Sequence, residues 1–381
     1  MTIPSQAVSI FTPSLDLIPQ ASIWQPREPL RLLAMTILAV PALVTLQLTD
    51  RYLSAMTRNP EAWAMANAAN ATVRFAGPLL AMAAGAWLLQ PAAIAPLNIF
   101  YRRWLAGLGL PLLGWSFVYT VYGIKTSSDF TLSPGQLATA LLNGRLVEHF
   151  VLAYTLLQLL LATPFLQRLA LGEPQLLDWF AGLCFLLVSG NALCNDFLGF
   201  HFSTPLTMFT TWGGYFTLGR ALSRRAFRGR TALTAGLILW TTGWTFTTVA
   251  NQYLYLQHTP QSAIFVKEET LNILAMTVGI FTVLEALPET CYLHGRTFII
   301  LLAPLSLGTA LAFDLVRKIM ATLGAHVQFF ETAVGSRVLG LALTATMVYI
   351  ISLLLVAGLR RLPGMKWLTG NQLIDGYIKG E

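Results

Sequence analysis

The sequence predicts an all-α protein: a polytopic integral membrane helical bundle of about ten transmembrane helices. Three observations point there. Of 381 residues, 55% are hydrophobic and only 11% are charged, where a soluble domain carries about 25%. Mean hydropathy is +0.62, so too little polar surface exists to keep this much apolar chain in water. The apolar runs are long and unbroken, the pattern of spanning helices rather than of the short alternating strands of a barrel. In lipid the backbone groups have to be satisfied internally, and a helix does this within one segment.

Apolar segments fall at 29–48, 74–92, 105–123, 148–170, 176–193, 206–222, 231–250, 270–287, 297–314 and 336–358. The second is rich in alanine and glycine. The last is the plainest, with no charge from Leu339 to Leu359. This divides the chain into an N-terminal tail over 1–28, a ten-helix membrane domain over 29–358 and a C-terminal tail over 359–381. Residues 1–28 lack a basic stretch before a short apolar core, so they read as a polar tail and not as a signal. No fixed-period repeat and no low-complexity linker divides the membrane domain.

Orientation follows from the basic residues. With ten spans both termini share one side, which holds about 15 of the 24 Lys and Arg against about 9 on the other. The positive-inside bias then places both termini in the cytoplasm. The densest cluster, Arg220, Arg224, Arg225, Arg228 and Arg230, lies between the sixth and seventh segments and reads as a topology anchor. The net charge of +7 therefore reflects membrane orientation, and no nucleic-acid partner is expected. Cys184, Cys194 and Cys291 are odd in number and have neither disulfide nor zinc spacing, so no metal is expected.

Ionisable groups inside hydrocarbon cost a few kcal/mol and usually face a cavity or a partner. Glu148 and His149 open the fourth segment. Histidine can serve as a general base near neutral pH; the plainer reading is an interfacial pair at a helix start. Arg31, in the first segment, is either a snorkelling anchor or a donor to an anionic ligand. Arg102 and Arg103 precede the third segment and fit topology or phosphate contact. Asn191, Cys194 and Asn195, with Asp196 beside them, line a polar cavity or mark a helix exit. Asp314 and Arg317 have i,i+3 spacing for an ion pair. Glu285 has no basic neighbour in sequence. The chain contains no phosphate loop, no G-x-S-x-G, no H-E-x-x-H and no CxxCH.

At the fourth segment the order of residues becomes specific. His149 to Pro164, HFVLAYTLLQLLLATP, resembles the H-L-W-F-L-x-x-L-x-G-L-Y-L-x-x-P stretch of the membrane acyltransferase-3 family, with both end residues at the family spacing. Arg74 to Leu89 is similar to that family's second span, Phe100 to Tyr119 to its basic-cluster, proline, aromatic helix, Gly213 to Leu222 to its mid-chain helix, and Arg360 to Gly370 to its C-terminal end. Together these segments run through nearly the whole chain in the family's order. There are departures. In the family pattern of the first span, Arg31, Ala34 and Leu38 fit, but Ala42 stands at the histidine position. Val151 replaces a tryptophan. The late S-x-G-x-Y-x-x-H pattern reads Ser306, Gly308, Ala310 and Phe313, so its tyrosine and histidine are missing. The second arginine expected after Arg103 is absent too.

The resemblance implies an O-acyltransferase acting on carbohydrate. It would move an acyl group, often acetyl, from acyl-CoA to a sugar hydroxyl of an exopolysaccharide or lipid-linked glycan, as in a cellulose-type system. Acyl-CoA is then a substrate, and no cofactor is expected. A sugar hydroxyl needs a base to attack a thioester. His149, supported by Glu148, takes that role, with Arg31, Arg102 and Arg103 as the substrate-binding residues for the donor. The expected setting is a bacterial inner membrane, with the bilayer, the glycan acceptor and polysaccharide synthase subunits as partners. Two rivals stay open: an inactive membrane subunit of a synthesis complex, favoured by the missing histidines, and a glycan transporter. With ten spans His149 falls at the face opposite Arg31, Arg102 and Arg103, so an enzyme needs a path across the membrane. The orientation predicts that a fluorescent protein fused after Glu381 fluoresces, while alkaline phosphatase fused there stays inactive.

Overall fold

The structure is a computed structural model that describes residues 28–55, 59–91, 96–126, 147–194, 210–225, 227–257 and 264–370, together with 135 and 139. Its regular elements among these residues are all helical. They are α1 (Glu28–Ala55), α2 (Pro60–Val73), α3 (Ala76–Leu88), α4 (Leu97–Thr126), α5 (Val151–Gly172), α6 (Pro174–Leu193), α7 (Thr211–Ser223) and α8 (Gly229–Leu256). There follow α9 (Leu271–Ala286), α10 (Glu289–His294), α11 (Arg296–Leu302), α12 (Ser306–Thr322), α13 (Val327–Val334) and α14 (Arg337–Arg361). Each of the ten expected segments coincides at least in part with one of these helices.

Among the described residues eight helical stretches are long and apolar enough to cross a membrane, with α2 and α3 counted as one and α11 and α12 as another. The polytopic all-α bundle is thus the fold of this chain. Two expected segments fall outside the eight. The one at 206–222 begins in residues outside those described and continues as the 13-residue α7. The one at 231–250 lies in α8, which is long enough at 28 residues, but its threonines, Asn251 and Gln252 dilute its apolarity.

Local chemistry explains several boundaries. Asn59 caps α2 by accepting from the Ala62 N–H at 3.1 Å, and Pro60 occupies the first helical position, where a missing N–H costs nothing. Thr210 caps α7 by accepting from the Gly213 N–H at 3.0 Å. Gly335, at φ +69°, ends α13 in the left-handed region. Pro41 and Pro111 sit inside α1 and α4.

The tightest crossing joins α3 to α7. A Cβ added at Gly85 would meet the Phe216 carbonyl oxygen at 1.7 Å, and one at Gly219 would meet the Met82 oxygen at 2.0 Å. Only hydrogen lets these backbones touch, the small-residue packing that membranes favour where no hydrophobic effect drives helices together. The core around this crossing includes Leu32, Met35, Ala39, Leu79, Met82, Ala86, Tyr215 and Phe281.

The bundle has two ends, defined by contacts. At the first, Arg31 pairs with Glu285, Gln167 Nε2 donates to the Leu88 carbonyl, and Arg224 pairs with Asp178. At the second, Arg51 pairs with Asp314. Beyond α14 the chain folds back on the bundle. Trp115 Nε1 donates to the Leu368 carbonyl at 3.0 Å, and Leu368 and Thr369 are buried. Of the segment expected as a tail from 359, then, α14 takes residues to Arg361 and 366–370 pack on α4; residues 371–381 lie outside those described.

Gly85→Ala is expected to cost about 1–3 kcal/mol or more, because neither backbone can yield. Gly182→Ala, whose Cβ would meet nothing within 4 Å, is the control and is expected to be neutral or slightly stabilising. Thermal unfolding in detergent reads both.

Candidate functional site

A cavity of about 390 Å³ runs through the bundle. Along α1 it touches Leu32, Thr36, Val40, Leu43 and Gln47, residues three or four apart and so on one helical face. From Leu32 to Gln47 the rise is about 22 Å at 1.5 Å per residue, most of a hydrocarbon core of about 30 Å. At the first end the wall is Trp87, Leu88 and Trp104; at the second it is Gln47, Arg74, His149 and Glu268. Between them lie small or aliphatic side chains such as Ala84, Leu156, Ala303 and Leu307.

His149 sits in the 3-10 turn Glu148–Phe150 that leads into α5. Its ring packs against Phe150, Phe313 and Tyr119, with ring centroids at 4.6, 4.7 and 5.5 Å. Nε2 lies 3.3 Å from the Leu311 carbonyl oxygen and 3.5 Å from the Tyr119 hydroxyl. A carbonyl can only accept, so in the neutral ring the proton rests on Nε2 and the lone pair on Nδ1. The side chain of Glu148 lies outside the described residues.

Tyr119 fixes this arrangement. Its hydroxyl donates to the Leu311 carbonyl at 3.1 Å and accepts from the Leu315 N–H at 2.8 Å. Those two backbone groups are the pair that an α-helix would bond to each other, so the phenol stands in the ladder of α12. The Leu311 oxygen thereby serves both Tyr119 and His149. The residue standing where the resemblance expects a late histidine, Phe313, is a direct neighbour of His149, and Ala310, standing for the missing tyrosine, lines the cavity. Ala42, at the first histidine position, is buried in the core of α1, α3 and α7.

Arg74 reaches the cavity from the α2–α3 junction. It is held by an ion pair to Asp50 and by Nε donating to Asn70 Oδ1 at 2.7 Å, while Asn70 Nδ2 donates to Asp50 at 2.8 Å and to Thr49 at 2.9 Å. The Asp50 carboxylate thus neutralises, and the Asn70 amide hydrogen-bonds, a cation that would otherwise be costly at this depth. Sequence reasoning used Arg74 only as the start of a span; the signal it missed is the Asp50, Asn70, Arg74 set, whose members lie 20 and 4 residues apart.

The arginines divide differently. Arg31 NH1 lies 3.4 Å from Glu285 and NH2 lies 4.0 Å from Glu289, so the partner of Glu285 is 254 residues away in sequence. Arg102 and Arg103 are exposed near the start of α4, beside Trp104, which lines the cavity and packs edge-on to Trp87 at 6.1 Å. His149 is therefore at the second end and Arg31, Arg102 and Arg103 at the first, and one cavity touches both regions. Asp314 pairs with Arg317 at 2.7 Å, as the spacing predicts, and also with Lys318 and Arg51. Cys194 stands at the C-cap of α6, which favours the helix-exit reading for that cluster; Asn195 and Asp196 lie outside the described residues. Among the described residues no three His, Cys, Asp or Glu side chains are grouped to hold a metal.

No family model, no curated protein and no solved structure matches this chain.

Tyr119→Phe strips the buried Leu315 N–H of the hydroxyl it donates to. The expected loss is about 1–3 kcal/mol of stability, whereas Tyr101→Phe, whose exposed hydroxyl donates to Leu161 O, is expected to stay within about 0.5 kcal/mol. Denaturation in a fixed detergent compares them.

Proposed function

We propose that this chain is a membrane O-acyltransferase that moves an acyl group from acyl-CoA to a sugar hydroxyl of an exopolysaccharide or lipid-linked glycan. The observation that carries the reading is the cavity. It runs most of the way through the bundle, touches His149 near one end, and reaches Trp104, next to Arg102 and Arg103, near the other. The order of segments resembling the membrane acyltransferase-3 family supports the same reading. The working setting is a bacterial inner membrane with both termini in the cytoplasm. Acyl-CoA then approaches the first end, and the glycan acceptor approaches the second.

In this scheme Arg102 and Arg103 hold the phosphates of the donor by charge-assisted hydrogen bonds. Arg31 is engaged by Glu285 and Glu289 and supports the wall of the first end. The pantetheine arm lies along the cavity and brings the thioester towards His149. The sugar oxygen attacks the thioester carbonyl: a C–O bond forms and the C–S bond breaks. The hydroxyl proton passes to Nδ1 of His149, the nitrogen that carries the lone pair, and then to the departing thiolate. Leu311 O and Tyr119 keep the imidazole in the required tautomer, as a partner on the second nitrogen does for other catalytic histidines.

A second reading has its own observation. His149 is wedged among three aromatic rings and tied to a backbone carbonyl, which is also how a purely structural histidine is held. Together with Ala42 and Phe313 at the resemblance's histidine positions, this favours an inactive subunit of a polysaccharide-synthesis complex.

Purified protein in nanodiscs, given labelled acetyl-CoA and a glycan acceptor, separates the two. Transfer is expected, and His149→Ala is expected to lower its rate by about 10²–10⁴-fold, the usual contribution of a general base. Absence of transfer, together with unchanged ester content of extracellular polysaccharide in a deletion strain, would leave the inactive subunit. Ala84→Trp, which fills the middle of the cavity, is expected to abolish transfer while leaving the folded yield near that of the parent.

A further inference from the structure

The second end of the cavity gathers polar groups that the proposed base does not use. Beside His149 its wall holds Gln47 from α1, Arg74 from the α2–α3 junction, Trp212 from α7 and Glu268 just before α9. Trp212 belongs at this end because α7 runs from Thr211 towards Arg224, which pairs with Asp178 at the first end. Tyr215, one turn along α7, donates its hydroxyl to the Glu268 carbonyl at 2.8 Å. That bond fixes the segment bearing Glu268 against the start of α7.

Three of these side chains have hydrogen-bonding capacity left over. Among the described residues the Glu268 carboxylate forms no ion pair and the Gln47 amide no hydrogen bond, and both residues are half-buried. Arg74 engages Asn70 through Nε and Asp50 through Nη2, which leaves Nη1 for a ligand. Its charge is matched by Asp50, so Glu268 is the unmatched charge of this mouth. A carboxylate that accepts, a guanidinium that donates and an amide that does both suit a ligand whose hydroxyls do both. A phosphate or carboxylate ligand would face the Glu268 charge without a spare cation to offset it. A simple cation would leave the Arg74 and Gln47 donors idle. Trp212 adds an apolar surface. Its Cη2 would lie 3.1 Å from a Cβ at Gly77, so the indole rests on the α3 backbone at a glycine. The face of such a ring carries partial negative charge and attracts C–H groups. A pyranose offers C–H groups on its faces and hydroxyls around its edge.

We propose that this mouth binds an uncharged hexose unit. Glu268 accepts from its hydroxyls, Arg74 and Gln47 donate to them, and Trp212 lies against its C–H face. The choice of a glucan rests on the acyl-transfer reading, to which the proposal adds the residues that hold the acceptor beside His149.

The test uses the full chain in phosphatidylcholine nanodiscs, with cellotetraose as the probe and choline as the cationic control. A ligand that binds only the folded state raises the unfolding temperature, and the concentration dependence gives the affinity. Cellotetraose is expected to stabilise the parent and Glu173→Gln, which changes an exposed carboxylate at the other end. With Glu268→Gln the concentration needed is expected to rise at least ~10-fold, the effect of one charge-assisted hydrogen bond. Gln47→Leu, similar in size and better suited to a membrane helix, is expected to weaken binding too, and it guards against a folding defect in Glu268→Gln. No response to cellotetraose, equal responses in all four proteins, or stabilisation by choline alone overturns the proposal. Transfer from labelled acetyl-CoA separates the site from the reaction. Glu268-dependent binding without transfer leaves the site standing and removes the acyltransferase. Transfer whose acceptor KM is the same in the parent and in Glu268→Gln removes the site and leaves the acyltransferase.

Discussion

The constraint on which this structure depends is the absence of water from hydrocarbon. Every backbone polar group at depth has to find its partner inside the protein, and many side-chain groups find one there too. The hydroxyls show the commonest answer: Thr45, Thr72, Thr163, Thr217, Thr277, Thr344, Ser116 and Ser352 each donate to the carbonyl one turn back on their own helix. The charges show the costlier answer. Arg74 is enclosed by Asp50 and Asn70, Arg31 by Glu285 and Glu289, and Asp314 by three cations. Tyr119 shows a third, with a phenol placed between two backbone groups of a neighbouring helix. These requirements, more than apolar packing, settle which helix faces which, because lipid tails offer Leu and Val as good a surface as another helix does.

The helices were legible because an apolar run of about 20 residues has one stable form in a bilayer. α2 was not read as a helix, since its alanines and asparagines over 60–73 average to weak hydropathy; its amide side chains are nonetheless the ones that secure Arg74 and reach the Thr248 carbonyl. The Asp314–Arg317 pair was legible because i,i+3 spacing brings its members together on any helix. Arg51 at the same carboxylate was not, because that contact depends on how α1 packs on α12. For the same reason Glu285 lacked a visible partner.

The candidate site was legible only in its parts. His149 stood out as an ionisable residue at the mouth of an apolar run, and Arg102 and Arg103 as a basic pair. Their separation to opposite ends follows from counting spans. What joins them, the cavity, arises from small residues on α3 and α12 facing α1, and no local pattern encodes a void. The placement of Phe313 against His149 is similar in kind. A motif position 164 residues downstream becomes a neighbour only when α12 docks on the turn before α5.

The fold-back of residues 366–370 bears on how this protein can be built and handled. Gly370 lines the cavity and packs against Leu307, and the turn before it is stitched to Trp115. This fold-back is thus a wall of the central chamber. A ribosome has to release residues 366–370, after all fourteen helices, before that chamber can close. A copy without residues 366–370 would leave the bundle seated in the bilayer with its interior open to lipid.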